Sequence, residues 1–195
     1  MVSAIILAAG EARRMGKLKQ LLPLGKTTIL EKTVENIVAS RVDETIMVLG
    51  YEAEKIITRL SRAPVKMVVN PLYQGGMATS IVAGLRAVGA GASAIMLVLA
   101  DQPFIDSRVI NRLLDEFKRH NKGIVIPTYQ GKRGHPVIIS LEYKAELLSL
   151  KGDVGAREII ARHSGDVHEV RVDSPGVTMD IDTPEEYQSL KAKVT

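Results

Sequence analysis

The sequence is organised around residues 7–25, which read LAAGEARRMGKLKQLLPLG. A short apolar run over residues 2–7 leads into this stretch and predicts a buried strand. The small residues 8–10 allow the backbone to pass close to a ligand. Four cations follow them, namely Arg13, Arg14, Lys17 and Lys19. Backbone N–H groups and cationic side chains suit a triphosphate, so this loop is a candidate triphosphate site; the alternative is a solvated basic loop.

Composition and charge limit the function classes. The formal net charge of +4 suits a small anionic ligand, but two Phe, five Tyr and no Trp leave few rings for stacking on bases, so nucleic-acid binding is not expected. The lack of cysteine excludes disulfides, thiolate metal sites and a cysteine nucleophile. The apolar run at the start is too short to span a bilayer and lacks a basic region before it. We therefore expect a cytoplasmic protein with no membrane contact, folded as one domain over residues 1–195.

Predicted strands and helices alternate along the chain. Strands are predicted at residues 2–7, 45–49, 65–69, 94–100, 124–127, 136–139 and 167–172, and helices end near residues 39, 60, 88, 119, 150, 163 and 193. This alternation predicts an α/β fold with a mostly parallel sheet between two layers of helices. Residues 89–94 match G-x-G-x-x-A but precede a strand, whereas a dinucleotide fingerprint follows one.

Three helix starts carry capping signals. Thr27 or Thr28 precedes the first helix, and Asp106 or Ser107 precedes the helix that ends near residue 119. Residues 183–186 read TPEE, which predicts a capping box at the last helix.

Carboxylates follow the predicted strands at the edge where ligands bind. Asp101 ends the buried run IMLVLAD, and the carboxyl ends of parallel strands form the ligand-binding edge of such sheets. Mg²⁺ takes one or two carboxylates together with phosphate oxygens, so Asp101 is a candidate ligand, and a turn or cap aspartate is the alternative. Asp180 or Asp182, in MDIDTPEEY, is a candidate second carboxylate.

A glycine-containing loop joins the third strand to its helix. Residues 70–80 read NPLYQGGMATS, in which Gly75 and Gly76 permit close approach of the backbone. The start of the following helix is expected to offer free N–H groups to a ligand, and an ordinary capped loop is the alternative.

The loop motif L-A-A-G-x-x-x-R-M-G-x-x-K resembles the signature of the nucleotidyltransferases that attach a nucleotide to molybdenum cofactor. The resemblance implies that Arg14 and Lys19 act in catalysis and hold the triphosphate. It also implies a metal site on Asp101, in LADQP, and on Asp182, directly before the T-P pair. The resemblance further implies nucleotide contacts from Leu7, Ala8, Ala9, Gly10, Arg14, Lys19, Asn70, Gly75, Gly76, Met77 and Ser80.

Two further segments resemble the acceptor side of this family. Gly134 and His135 begin a G-H-P-V segment, which implies contact with the second substrate; an idle turn histidine is the alternative. Residues 152–157, GDVGAR, resemble a loop and helix start near the acceptor, without a defined role. The remaining histidines, His120, His163 and His168, have no partner motif and are interpreted as surface residues.

The resemblance implies a three-layer, Rossmann-like nucleotidyltransferase fold and a defined reaction. CTP and molybdenum-bound molybdopterin would give the cytosine dinucleotide cofactor and pyrophosphate, with Mg²⁺, or Mn²⁺ in its place. Ala9 favours cytosine, since guanylyl members typically carry A-G-G at this point. The alternatives are a guanylyltransferase, a sugar- or polyol-phosphate nucleotidyltransferase, and a non-catalytic nucleotide or cofactor carrier that contacts a molybdenum hydroxylase.

Overall fold

The computed structural model describes residues 1–11 and 18–194, and side chains as far as residue 191. The strands are β1 Val2–Ala8, β2 Pro23–Leu24, β3 Thr27–Thr28, β4 Glu44–Leu49, β5 Lys66–Val69, β6 Ala94–Leu99, β7 Ile124–Tyr129, β8 Lys132–Arg133, β9 Val137–Ser140 and β10 Val167–Arg171. The main sheet has eight strands in the order β10-β7-β9-β6-β1-β4-β5, with β8 paired to β7. The short strands β2 and β3 form a separate hairpin.

Seven α-helices connect and follow these strands in the part of the chain that the structure describes. They are α1 Ile29–Val38, α2 Ala53–Arg59, α3 Met77–Ala87, α4 Ser107–Arg119, α5 Lys144–Ser149, α6 Arg157–Arg162 and α7 Pro184–Val194. None of the helices in this part is both long and apolar enough to cross a membrane.

The prediction of a mostly parallel sheet is confirmed, with the strands β8 and β9 reversed. Strand β1 lies at the centre and pairs in parallel with β4 and β6, so that Ile5 lies opposite both Ile46 and Leu97. Strand β9 runs antiparallel to β6 and β7. The chain returns from β7 to β9 through a short connection, and such a connection joins only antiparallel neighbours.

Helices cover both faces of the sheet, as the alternation predicts. Along β1, Ala4 and Ile6 pack in one hydrophobic cluster with α1, α2 and α4. Ile5, between them, packs in a second cluster with α3, α5 and α6 on the opposite face. Side chains of a strand alternate between its two faces, so the near-continuous apolar runs in the sequence supply both layers of core at once.

A third hydrophobic cluster attaches the last helix to the β2–β3 hairpin. The buried members of this cluster are Leu24, Ile29, Ile181, Tyr187 and Leu190. The Tyr187 hydroxyl also donates a hydrogen bond to the Pro23 carbonyl oxygen at 2.7 Å. These contacts place the segment before α7 beside the chain that leaves β1.

The predicted helix caps form, and the structure selects between the alternatives. Thr28, not Thr27, caps α1 in a reciprocal capping box with Glu31. Asp106, not Ser107, caps α4. The capping box at α7 is also present: Thr183 N donates to a Glu186 carboxylate oxygen at 2.9 Å, and Glu186 N donates to Thr183 Oγ1 at 3.2 Å.

Close packing of α3 on the sheet yields a stability prediction. A Cβ atom at Gly84 would lie 2.5 Å from Ile5 Cγ2 and 3.0 Å from Val48 Cγ2, and both of those side chains are fully buried. We expect Gly84→Val to lower the free energy of unfolding by about 1–3 kcal/mol, the usual cost of overpacking a core. Urea denaturation measures this free energy of unfolding. Gly165→Val is the control, because a Cβ there meets no atom within 4 Å, and an equal loss in both variants would contradict the prediction.

Candidate active site

A cavity of about 450 Å³ opens at the carboxyl ends of β1 and β6. It is the edge at which parallel α/β sheets bind ligands. Residues singled out from the sequence that line it are Leu7, Ala9, Gly10, Lys19, Gly76, Met77, Ser80, Asp101 and Asp182. The loop after β1, the end of β6 and the segment before α7 therefore meet at one place.

Lys19 joins the two predicted metal carboxylates at this cavity. It lies at the start of a 3₁₀ helix, Lys19–Leu21, directly after the cationic loop. Its ammonium donates to Asp101 Oδ2 at 2.6 Å and to Asp182 Oδ1 at 2.8 Å. The exposed fractions of the Lys19 and Asp101 side chains are only 12% and 18%, so their charges are poorly screened by water.

The charges of this cluster alter its protonation equilibria. Burial by itself would lower the pKa of Lys19, but the charges and hydrogen bonds of Asp101 and Asp182 outweigh burial and raise that pKa. Lys19 therefore stays an ammonium ion. Burial raises the pKa of Asp101 above its ordinary value, and the negative charge of Asp180 acts in the same direction, against the opposing effect of Lys19.

Several negative charges of the cavity wall lie near Lys19. Three carboxylates, Asp101, Asp180 and Asp182, line the cavity near this ammonium. A further cation would relieve the burial cost at Asp101 and the repulsion from Asp180.

An orphaned oxygen shows that the site suits such a cation. Asp101 Oδ1 is buried and has no hydrogen-bond partner among the described residues. A buried carboxylate oxygen without a partner is costly unless a ligand or ion completes it. The Lys19 ammonium lies between two carboxylates, which shows that these carboxylates accommodate a positive charge. Carboxylate oxygens are the donors that Mg²⁺ and Mn²⁺ prefer, so the residues present fit either ion.

Asp180 and Asp182 have different partners in this cavity. Asp182 shares the Lys19 ammonium with Asp101. Asp180 instead accepts a hydrogen bond from the Gln102 amide. The preference for Asp182 as the second metal ligand stays a prediction, and Asp180 is close enough to modify the charge of the site.

The start of α3 differs from the sequence expectation. Met77 N donates to Asp153 Oδ1 at 3.0 Å, and Ala78 N donates to the Gly152 carbonyl oxygen at 3.1 Å. The expectation of free N–H groups here is therefore wrong at these two positions, because the loop before α6 takes them. Gly76 has φ 95°, and a Cβ there would lie 2.5 Å from Gly152 O, so the contact between the two loops requires glycine.

Some of the predicted nucleotide contacts lie behind the cavity wall. Asn70 is buried, and its amide donates to Thr79 Oγ1 at 2.9 Å and Ser80 Oγ at 3.1 Å. It orients Ser80, which lines the cavity. Ala8 is buried in the core, and the exposed Gly75 lies next to Thr79 outside the cavity lining.

The predicted acceptor residues Gly134 and His135 also lie outside the cavity lining. A Cβ at Gly134 would lie 2.0 Å from the Val177 carbonyl oxygen, which also accepts a hydrogen bond from His135 N at 2.8 Å. Close packing on this segment therefore accounts for the glycine. Burial lowers the pKa of His135, although the charges of Asp180 and Asp101 act on the imidazole in the opposite direction.

The cavity wall also contains residues to which sequence reasoning assigned no definite role: Gln20, Tyr73, Asp153 and Arg157. Gln20 is buried, and its Nε2 donates to the Gly10 carbonyl oxygen at 3.2 Å. Its Oε1 has no partner among the described residues. The only signal for Arg157 was its place in the GDVGAR segment. No sequence pattern predicted that Gln20 lines the cavity, because its position depends on the contact with Gly10, ten residues earlier.

Arg14 lies within residues 12–17, outside the described residues. Its expected contact with the triphosphate therefore stays a prediction.

Known proteins resemble this chain over its full length. The chain is 27% identical to the molybdenum cofactor cytidylyltransferase of Escherichia coli K12, over 100% of this chain and 97% of that protein. It is 26% identical to the molybdenum cofactor guanylyltransferase of Shewanella sediminis, over 99% and 97%. It is also 30% identical to the nicotine blue oxidoreductase of Paenarthrobacter nicotinovorans, over 97% and 96%.

A solved structure and a family model agree with the observed fold. The structure of Rv0371C from Mycobacterium tuberculosis H37Rv in complex with manganese has a TM-score of 0.84 and 30% identity, covering 99% of each chain. The model of the MobA-like NTP transferase domain matches residues 4–167. The three-layer nucleotidyltransferase fold implied by the sequence is thus confirmed, and the chain belongs to the MobA-like NTP transferase family.

Proposed function

We propose that the protein transfers CMP from CTP to the terminal phosphate of molybdenum-bound molybdopterin and releases pyrophosphate. The observation that carries this proposal is the Lys19 ammonium held between Asp101 and Asp182 at the ligand-binding edge of the sheet. This arrangement suits a nucleoside triphosphate with a divalent ion, and family membership supports the reaction class.

Lys19 binds the triphosphate and stabilises the leaving pyrophosphate. Its raised pKa keeps it positively charged, and its two carboxylate partners fix the position of Nζ. Arg14 supplies a second cation from the same loop. An acceptor phosphate oxygen forms the new bond to the α-phosphorus while the bond to pyrophosphate breaks, and an ionised phosphate requires no general base. Catalysis then consists of positioning and charge stabilisation.

Asp101 and Asp182 hold the divalent ion, Mg²⁺ or Mn²⁺. When bound at these carboxylates, the ion would supply positive charge that stabilises the transferring phosphate. The orphaned Asp101 Oδ1 supports this assignment, as does the manganese-bound relative.

The nucleotide occupies the part of the cavity bounded by Leu7, Ala9 and Gly10 on one side and Gly76, Met77 and Ser80 on the other. Asn70 acts as a positioning residue through Ser80. Ala8 and Gly75 shape the backbone of the two loops. Ala9 is the candidate determinant of the base, because this residue lines the cavity.

The acceptor lies on the side formed by α6 and the segment at Gly134 and His135. Arg157 is the cation of this side that lines the cavity, which suits an anionic acceptor phosphate. Gly134 and His135 act behind it by shaping this wall.

Charge removal at the cavity tests the assigned roles. We expect Lys19→Met and Asp101→Asn each to lower kcat by about 10²–10³-fold, as losing one preorganised charge interaction does. Asp101→Asn and Asp182→Asn should also weaken Mn²⁺ binding, measured without nucleotide. Steady-state pyrophosphate release and equilibrium Mn²⁺ titration provide these readouts.

Matched variants control for charge alone. Lys122→Met removes a lysine that contacts Gly165 at the other edge of the sheet, and Asp115→Asn removes an exposed partner of Arg41. Both should retain the rate of the unchanged protein, and circular dichroism should show folded protein in every variant. Near-normal turnover in Lys19→Met would contradict the role of Lys19.

The choice of base is tested at Ala9. We expect Ala9→Gly to raise kcat/KM for GTP relative to CTP, because removing a methyl group enlarges the space available to the base. A single methyl group in a pocket changes such a ratio by at most about 10–200-fold. The measurement is pyrophosphate release with each nucleotide and molybdenum cofactor. An unchanged ratio would assign base selection to other residues.

The same assay separates the alternative functions. Release with CTP and molybdenum cofactor supports the proposal, whereas release only with GTP makes the protein a guanylyltransferase. Release only with a sugar or polyol phosphate would replace the acceptor. Nucleotide binding without turnover favours a carrier that delivers cofactor to a hydroxylase.

A further inference from the structure

A second cluster of metal-binding groups lies between α4 and β10. The α4–β10 cluster consists of Glu116, His120 and His168. Glu116 Oε2 lies 3.1 Å from His120 Nε2 and 3.0 Å from His168 Nε2. The two imidazole rings stack, with their centroids 3.9 Å apart. No motif in the sequence indicated these contacts. The expectation of a surface position holds for His120, which is exposed, whereas His168 is half-buried.

The backbone holds the three side chains together. Glu116 lies in the last turn of α4, and His120 caps the end of that helix, where its backbone N–H donates to the Glu116 carbonyl oxygen at 3.0 Å. His168 and the buried Val170 share one face of β10, and Val170 packs in the cluster that contains α4. The core thus fixes both elements that carry the ligands. One potential ligand atom from each residue lies within 4.8 Å of the other two, without rearrangement of the backbone.

The cluster is remote from the candidate active site. Helix α4 begins just after Asp101 at the carboxyl edge of the sheet and ends at Arg119. His120 follows that end, and His168 is the second residue of β10, which runs parallel to β7. The α4–β10 cluster therefore lies towards the amino ends of the strands, away from Lys19 and Asp101.

We propose that Glu116, His120 and His168 form a binding site for a divalent transition-metal ion, of which Zn²⁺ is the representative. Two imidazole nitrogens and one carboxylate oxygen are a donor set that suits Zn²⁺, Co²⁺ or Ni²⁺ with water completing the coordination. Mg²⁺ prefers oxygen ligands and does not suit it. The site is thus chemically distinct from the oxygen-only carboxylates of the active site.

The bound ion joins the end of α4 to an edge strand of the sheet. Strand β10 pairs only with β7, so one of its edges has no neighbouring strand in the described sheet. A metal bridge from this strand to α4 would stabilise the edge, because an ion that binds only the folded chain favours folding.

The neighbouring cation Arg119 does not contact the carboxylate oxygen that faces the two imidazoles. Arg119 approaches Glu116 through the other carboxylate oxygen, Oε1, at 3.5 Å, so Oε2 faces the two imidazoles. The alternative is that Glu116 is only a shared hydrogen-bond acceptor for two histidines. The two interpretations differ in whether all three side chains are needed for metal binding.

Metal titration of the full chain distinguishes them. With excess Mg²⁺ to occupy the active-site carboxylates, we expect isothermal titration to show one Zn²⁺ per chain. His168→Ala and His120→Ala should each weaken this binding by at least about tenfold. Substituting a residue that only hydrogen-bonds to a metal ligand already lowers metal affinity by about 10–100-fold. Co²⁺ should give visible d–d absorption bands in the unchanged protein, and either substitution should remove them. Zn²⁺ should raise the melting temperature of the unchanged protein more than that of His120→Ala or His168→Ala.

A matched pair elsewhere in the chain is the control. His163 Nε2 contacts Glu146 Oε1 at 2.7 Å, a histidine–glutamate pair that belongs to no such three-residue group among the described residues. His163→Ala should leave Zn²⁺ affinity unchanged. Equal affinity in His120→Ala, His168→Ala and the unchanged protein, or an equal loss in His163→Ala, would overturn the proposal. Because His120 is exposed beyond the helix end, His120→Ala provides a readout even if His168→Ala does not fold.

Discussion

Attraction between one ammonium and two carboxylates brings the candidate active site together. Lys19 lies 82 residues from Asp101 and 163 residues from Asp182 in sequence, yet Nζ contacts both. None of the three is placed by a strand alone: one follows β1, one follows β6 and one precedes α7. Lys19 and Asp101 are mostly buried, and each lowers the cost of burying the charge of the other, whereas the Asp182 side chain is 43% exposed. Two carboxylates against one ammonium leave these three residues with a net negative charge, which suits a divalent ion.

Much of this arrangement could be predicted because it depends on local signals. The apolar runs that end at Ala8 and Asp101 identify buried strands and the edge where they finish, and the direction of a parallel sheet then brings their carboxyl ends together. Thr28 with Glu31 and Thr183 with Glu186 mark helix starts through side chains only three residues apart. Such features need no knowledge of how distant segments pack.

The errors concern contacts between distant segments. The N–H groups at the start of α3 look free until the loop at Gly152 and Asp153, some 75 residues later in the chain, is packed against them. The close approach of Val177 to Gly134 could likewise not be foreseen from the sequence, and the expected acceptor contact of the G-H-P-V segment stays a prediction. The histidines of the α4–β10 cluster are 48 residues apart in sequence and became neighbours only through the register of β10 and the length of α4. Hydrophobic periodicity contains no information on pairings of this kind.

The third hydrophobic cluster has a consequence for the order in which parts of the chain can fold during synthesis. Ile181, Tyr187 and Leu190 attach the segment that carries Asp182 to the β2–β3 hairpin, outside the main sheet. On a ribosome, β1, β4, β5 and β6 emerge well before this segment and can begin to pair without it. Lys19 and Asp101 are then made before Asp182, the second carboxylate that contacts Lys19, has left the exit tunnel. A nascent chain would therefore form much of its sheet before both of the predicted metal carboxylates are available.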